Sequence, residues 1–161
     1  LTGPARMSFV VTTPPPTPEE IPIQNSPFWP EIDPTHCRTR MRIDGTTTTD
    51  RLRAALVEAI ASANAELESW SAEQISAGRL SLADVPAPQI DGISLHIHRY
   101  RHAICALASA SLIERYRSVD ATNDGHQYAD RLELSTDDLR RDARWAISDI
   151  RGTGRTTIEL I

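Results

Sequence analysis

The chain has 161 residues, 40% of them hydrophobic and 24% charged, with a formal net charge of −5 and a pI of about 5.5. That length suits one domain with a tail and a core of fair size, and the acidic balance argues against a free-standing nucleic-acid binder. No uninterrupted apolar run reaches the ~18 residues of a membrane span, and no basic-then-apolar leader pattern opens the sequence. The expected compartment is the cytoplasm or something assembled there. All 17 basic residues are arginine, which reads as codon composition rather than chemistry. The sequence opens on Leu1, so an alternative start codon or an upstream start is expected. Cys37 and Cys105 lie far apart and neither belongs to a CxxC pattern, so neither a disulfide framework nor a zinc site is expected.

Residues 1–27 are expected to be a Pro-rich arm, extended or disordered when the protein is alone. Pro14-Pro15-Pro16-Thr17-Pro18 lacks the backbone donors a helix needs. Within it, Met7 to Val11 is a short apolar run in which Phe9, Val10 and Val11 could pair with a partner. The alternative is a loose N-terminus. Phe28 and Trp29 then stand before Asp33-Pro34, whose chemistry starts a helix: Asp at the N-cap and Pro at the first position. That helix should run from Pro34 to Ile43 and end near Gly45. The two aromatics are expected to anchor the approach onto the main body, with a partner contact as the alternative use.

Thr49 is the expected cap of a long amphipathic helix from Asp50 to Ala77. Leu52, Leu56, Ala59, Ile60, Ala63, Leu67 and Trp70 recur at three- and four-residue steps along it. Gly78 should close it. Pro86, Pro88 and Asp91-Gly92 make the next stretch a loop with at most one helical turn. Ser94 caps the central helix, which extends to about Val119. Its middle, Ala103 to Ile113, is free of charge and rich in Ala and Ser. A helix apolar on most sides must be surrounded by other helices, and small side chains let their axes come close. Asn123-Asp124-Gly125 marks its exit. Further helix is expected from Gln127 to Glu133 and from Ser135 to Arg151, as one kinked helix or two. Asp137 and Arg141 are spaced for an i,i+4 pair in it. Residues 155–161 alternate and are β-prone. Ile158, Leu160 and Ile161 would need a strand partner, either the N-terminal arm or another subunit.

The expected fold is therefore all-α: a small helical bundle, residues 28–154, with long central helices, an extended N-terminal arm and a short C-terminal β-prone tail.

Catalytic signatures are missing from the sequence. There is no GxSxG elbow, no phosphate-cradling glycine loop and no DxDxDG calcium pattern. His96, His98, His102 and Cys105 are the most tempting constellation, since His98, His102 and Cys105 can share a helix face. A bound transition metal needs about four ligands, and only three are spaced for it. The plainer reading is a solvated histidine face running into a buried cysteine, and no metal, cofactor or enzymatic activity is assigned.

Several stretches in one order carry a resemblance. They are Phe28-Trp-Pro-Glu-Ile-Asp-Pro34, Arg40-Met-Arg42, Asn64-Ala-Glu-Leu67, Leu82-Ala-Asp-Val-Pro86 and Ile90-Asp-Gly92. Ala103-x-Cys105-Ala106, Ala108-x-Ala110-Ser-Leu112, Glu114-Arg-Tyr-Arg117-x-Val-Asp-Ala121 and Arg141-Asp-x-Arg-Trp-Ala146 follow, with Gly152 last. From about Phe28 to Ile161 the chain resembles the head completion (head stabilisation) proteins of contractile-tailed temperate phages. The resemblance implies a head–tail connector, added after DNA packaging. Its partners would be the portal protein, neighbouring copies in a ring matching a twelvefold portal, and a tail-terminator or other neck protein. DNA would pass through the channel without sequence recognition, and the chain would belong to the virion neck. No catalytic residues or cofactors come with the family. The alternative is a helical DNA-binding packaging factor of the terminase small-subunit kind, against which the net charge speaks.

Overall fold

The computed structural model describes residues 20–119 and 136–154, the side chains of 116–119 excepted. The expected helix at 127–133 and the tail at 155–161 lie outside these residues, as do residues 1–19. Five α-helices are described: α1 (Pro34–Met41), α2 (Thr49–Glu66), α3 (Glu68–Ser76), α4 (Leu95–Val119) and α5 (Thr136–Arg151). A 3-10 turn at Leu82–Asp84 and a two-residue-strand hairpin complete them. The architecture is mainly helical, a small bundle as expected.

α1 and α2 begin where a side chain satisfies one of the free N–H groups, whereas α3 starts without a side-chain cap. Asp33 caps α1, with its carboxylate accepting from the Thr35 N–H at 2.9 Å. Thr48, one residue before the expected Thr49, caps α2 by accepting from the Arg51 N–H at 3.3 Å. α1 ends two residues early because Arg42 takes up the left-handed conformation at φ 55°. The helix expected from Asp50 to Ala77 is two helices. At Leu67 the backbone leaves the helical region (φ −98°, ψ 5°), and α3 starts at once. The apolar periodicity runs straight through this break, so nothing in the pattern marks it.

Between α3 and α4, where a loop with at most one helical turn is expected, the chain forms the 3-10 turn and then a hairpin. Gln89–Ile90 pairs antiparallel with Ile93–Ser94. Asp91 and Gly92, at φ 52° and 70°, make the two-residue turn between them. Positive φ at both central residues is what a tight hairpin turn requires. Ser94 lies in this hairpin, and its hydroxyl accepts from the His96 N–H at 3.3 Å.

α4 is the axis of the molecule, packed against α2 on one side and α5 on another. Tyr100, Ala103, Ile104, Cys105, Ala106 and Ala110 are fully enclosed. Ala55, Ala59 and Ala63 of α2 and Ala143 and Ala146 of α5 are buried too. The small-residue surface of α4 thus meets small residues on both neighbours, and the helices can sit close. The larger core side chains, Leu52, Leu56, Ile104, Leu112, Leu139 and Ile147, are spaced between them. α5 is tied at both ends by charge: Arg140 pairs with Glu114 at 2.6 Å, and Arg151 pairs with Glu66 at 2.8 Å. Within α5, Arg141 pairs with Asp138 and Asp142, not with Asp137.

The expectation for the cysteines is overturned. Cys37 of α1 and Cys105 of α4 form a disulfide, with their Cα atoms 5.2 Å apart. The sequence separation of 68 residues is no guide to distance once α1 folds back onto α4.

Candidate assembly site

The segment from Glu20 to Asp33 has almost no regular secondary structure, yet it is firmly fixed to the helices. Ile23 and Ile32 form an antiparallel bridge with N···O distances of 2.7 and 3.0 Å, so the chain between them is a closed hook. At its tip, Phe28 and Trp29 turn inward and are 7% and 8% exposed. The Trp29 ring stacks on Tyr100 at 4.7 Å between centroids, and Phe28 meets Trp29 edge-on at 4.9 Å. Trp70 of α3 covers both from outside, and His96 meets Trp70 edge-on at 5.9 Å. This is the anchoring use expected for the two aromatics. It leaves them little free surface for a partner in this form of the chain.

Under the aromatic cluster lies a closed ring of hydrogen bonds. The Tyr100 hydroxyl donates to Asn64 Oδ1 at 2.6 Å, and Asn64 Nδ2 donates to Asn25 Oδ1 at 3.0 Å. Asn25 Nδ2 donates back to the Tyr100 oxygen at 2.8 Å and to the Pro30 carbonyl at 3.2 Å. One residue each from the hook, α2 and α4 is thereby joined, and each gives and receives. Burial pushes the Tyr100 hydroxyl well above its ordinary pKa, with the Asn25 hydrogen bond opposing, so it stays a donor. Sequence reasoning missed this ring. Asn64 falls off the apolar stripe of its helix, and Asn25 reads as an ordinary loop residue.

Glu20 is where the arm joins the body. Its carboxylate pairs with Arg38 at 2.5 Å and accepts from Thr35 and Thr49, at the starts of α1 and α2. The hydrogen bond from Arg38 holds its pKa below the ordinary value, against the opposing effect of burial. Arg38 also donates to the carbonyls of Asp44 and Thr47 at 2.8 and 3.1 Å, which shapes the α1–α2 connection. Arg53 donates to the Ile21 carbonyl at 3.0 Å.

The histidine face of α4 is dispersed. His98 Nε2 lies 2.9 Å from the Ile90 carbonyl, so it carries the proton there. His96 sits against Trp70, and its pKa is lowered by burial and then by Arg99, with the Pro86 carbonyl opposing. His102 is lowered by burial and by Arg40 across on α1, with Asp142 opposing. The sulfur of Cys105 is bonded to Cys37 and is no thiolate ligand. Among the described residues, no group of three or more His, Cys, Asp or Glu converges.

Of the candidate contact residues, Phe9, Val10, Val11, Ile158, Leu160 and Ile161 lie outside the described residues. Among the described residues the exposed large apolar side chains are others: Leu80 at 79%, Ile21 at 67%, Ile90 at 54%, Ile75 at 49% and Val57 at 46%. They sit singly on the arm root, α2, α3, the connection after α3 and the hairpin. Such residues break no periodic pattern and carry no sequence signal.

Residues 23–161 match the family model of the phage head completion protein (GPL). The chain belongs to that family. It is also 44% identical, over 151 residues, to a head completion/stabilization protein from Escherichia phage P2; the matched region covers 94% of this chain and 89% of that protein. No solved structure matches it. As a head completion protein the chain is associated with the phage head. The family match begins at Ile23, the first residue of the hook, so the hook and its anchors fall within the family's region.

Proposed function

We propose that this head completion protein docks beneath the portal ring of the DNA-filled head. There, side-by-side copies would form a twelvefold ring that extends the channel and offers the neck protein a surface for tail attachment. The chain would be made and assembled in the host cytoplasm and remain in the virion neck. The observation that carries this reading is the family match from residue 23 to residue 161. The fold supplies a means. α2, α4 and α5 make a body that need not change, and Glu20 fixes the point at which residues 1–19 leave it. An arm held at its root can bind a neighbour without loosening its own core. The negative balance of the chain suits a channel through which DNA slides rather than sticks.

The test is reconstitution. Mixed with purified portal, the chain should co-sediment and appear by electron microscopy as a ring of matching symmetry. Removing residues 1–19 should abolish the ring and leave the helical circular dichroism unchanged. A chain that stays monomeric with portal under assembly conditions overturns the proposal.

A further inference from the structure

The Cys37–Cys105 pair holds the two cysteines of the chain, and both are at most 1% exposed. It joins two unequal partners. α4 is the buried axis of the bundle. α1 has eight residues and buries only Pro34 and Cys37. A helix of this length is marginal by itself, so its hold on the body comes from Cys37, from Pro34, from the partly buried Met41 and from Arg38 pairing with Glu20. α1 is thus the element whose opening would bare both sulfurs. The same helix carries Arg38, which grips the root of the N-terminal arm. The path from arm to core runs from Glu20 through Arg38 and α1 to Cys37, and across to Cys105 on α4.

We propose that this pair is a redox-gated lock on the arm root: a dithiol while the chain is made and assembled, and a disulfide in the released particle. Reducing cytoplasm keeps protein thiols reduced, so the inference rests on cytoplasmic assembly as proposed above. The oxidant is a low-molecular-weight disulfide. When α1 opens, the Cys37 thiolate attacks one sulfur of the oxidant, forms a mixed disulfide and expels one small thiolate. The Cys105 thiolate then attacks Cys37 Sγ, closes the protein disulfide and expels the second. Two electrons pass from the protein to the oxidant, and the two protons lost by the cysteines end on the two small thiols. While the pair is reduced, α1 and the arm root can adjust to a neighbour. Once it closes, the root is covalently part of the bundle.

The chain's redox state is read by intact mass. Producing cells are quenched in acid and alkylated in denaturant, and released particles are treated alike. The chain from cells should carry two alkyl groups and the chain from particles none. Two in both, or none in both, overturns the proposal. Particles without the chain would overturn its place in the virion instead. A second arm of the experiment stands on the purified chain alone. Treatment with glutathione disulfide should remove both alkylation sites and raise Tm by ~10 °C, given the long loop closed. Cys37→Ser should show no such shift. Failure of the wild-type chain to close, or closure without a rise in Tm, overturns the lock.

Discussion

In the α2–α4–α5 bundle the contacts are apolar and undirected: alanines against alanines, with Leu and Ile between them. In the segment from Glu20 to Thr48 the apolar contacts of Ile23, Phe28 and Ile32 are joined by contacts that have a direction: an aromatic stack, a ring of three hydrogen-bonded side chains, an ion pair and a disulfide. The bundle can lose or gain a methyl group by degrees. The hook depends in addition on contacts whose geometry is either met or lost. A protein that must keep a constant core while its arm engages other chains has reason to divide its physics this way. The core resists by volume, and the arm root is held by bonds that can be made and broken singly.

The sharpest way to break this comparison is Trp29→Ala. Trp29 is the largest of the buried apolar side chains of the hook, beside Ile23, Phe28 and Ile32, and is stacked on Tyr100 and covered by Trp70. Its loss should cost about 4 kcal/mol. If the division is real, amide exchange will rise first in residues 20–33 while α4 keeps its protection. Uniform loss of protection would mean that hook and bundle are one unit. In the bundle, Ile104→Ala should cost about 3 kcal/mol through the cavity it leaves. There the exchange should rise across α2, α4 and α5 together.

The same division decides what could be read from the chain. α1, α4 and α5 stand close to where caps and periodicity put them, because those signals are local. The stripe shared by α2 and α3 was legible in full, from Leu52 to Trp70. Its break at Leu67 was not, because the inward-facing residues keep step across it. The hook was legible only in part. Phe28 and Trp29 announced an anchor by their size. Asn25, Asn64 and Tyr100 lie 39 and 36 residues apart in turn, and no pattern along the chain links an amide to a distant hydroxyl. The disulfide escaped for the same reason, since two cysteines without a spacing motif become a pair only when the fold joins them. Of the candidate contacts, the structure places Phe28 and Trp29 within their own chain, where both are buried.

Tyr100→Phe sharpens the comparison by removing one oxygen and almost no volume. The ring of hydrogen bonds opens, and Asn25 and Asn64 each lose a partner in a half-buried place. The expected cost is about 2 kcal/mol by denaturant titration. A core held by volume alone would lose less than a quarter of that. Tyr100→Phe combined with Asn64→Leu should recover part of the loss, because no amide of α2 then waits unpaired.

The smallest effect, and the one most particular to the arm root, belongs to Glu20. Glu20→Gln removes the charge that Arg38, Thr35 and Thr49 converge on, while keeping the shape. At neutral pH the cost should be about 1 kcal/mol, discounted for the partly exposed Arg38. Its pH dependence identifies the cause. Arg38 holds the folded carboxyl below its ordinary value of 4.5. The native state therefore binds the proton less readily than the unfolded chain does. The stabilisation is fully present above the unfolded pKa and is lost as pH falls through the folded one. Urea midpoints of the wild type and Glu20→Gln should differ at pH 7 and converge under acid, below pH 4.5. A gap that persists unchanged at pH 2 would mean that Glu20 acts by shape rather than by charge. The arm root would then be held as the bundle is.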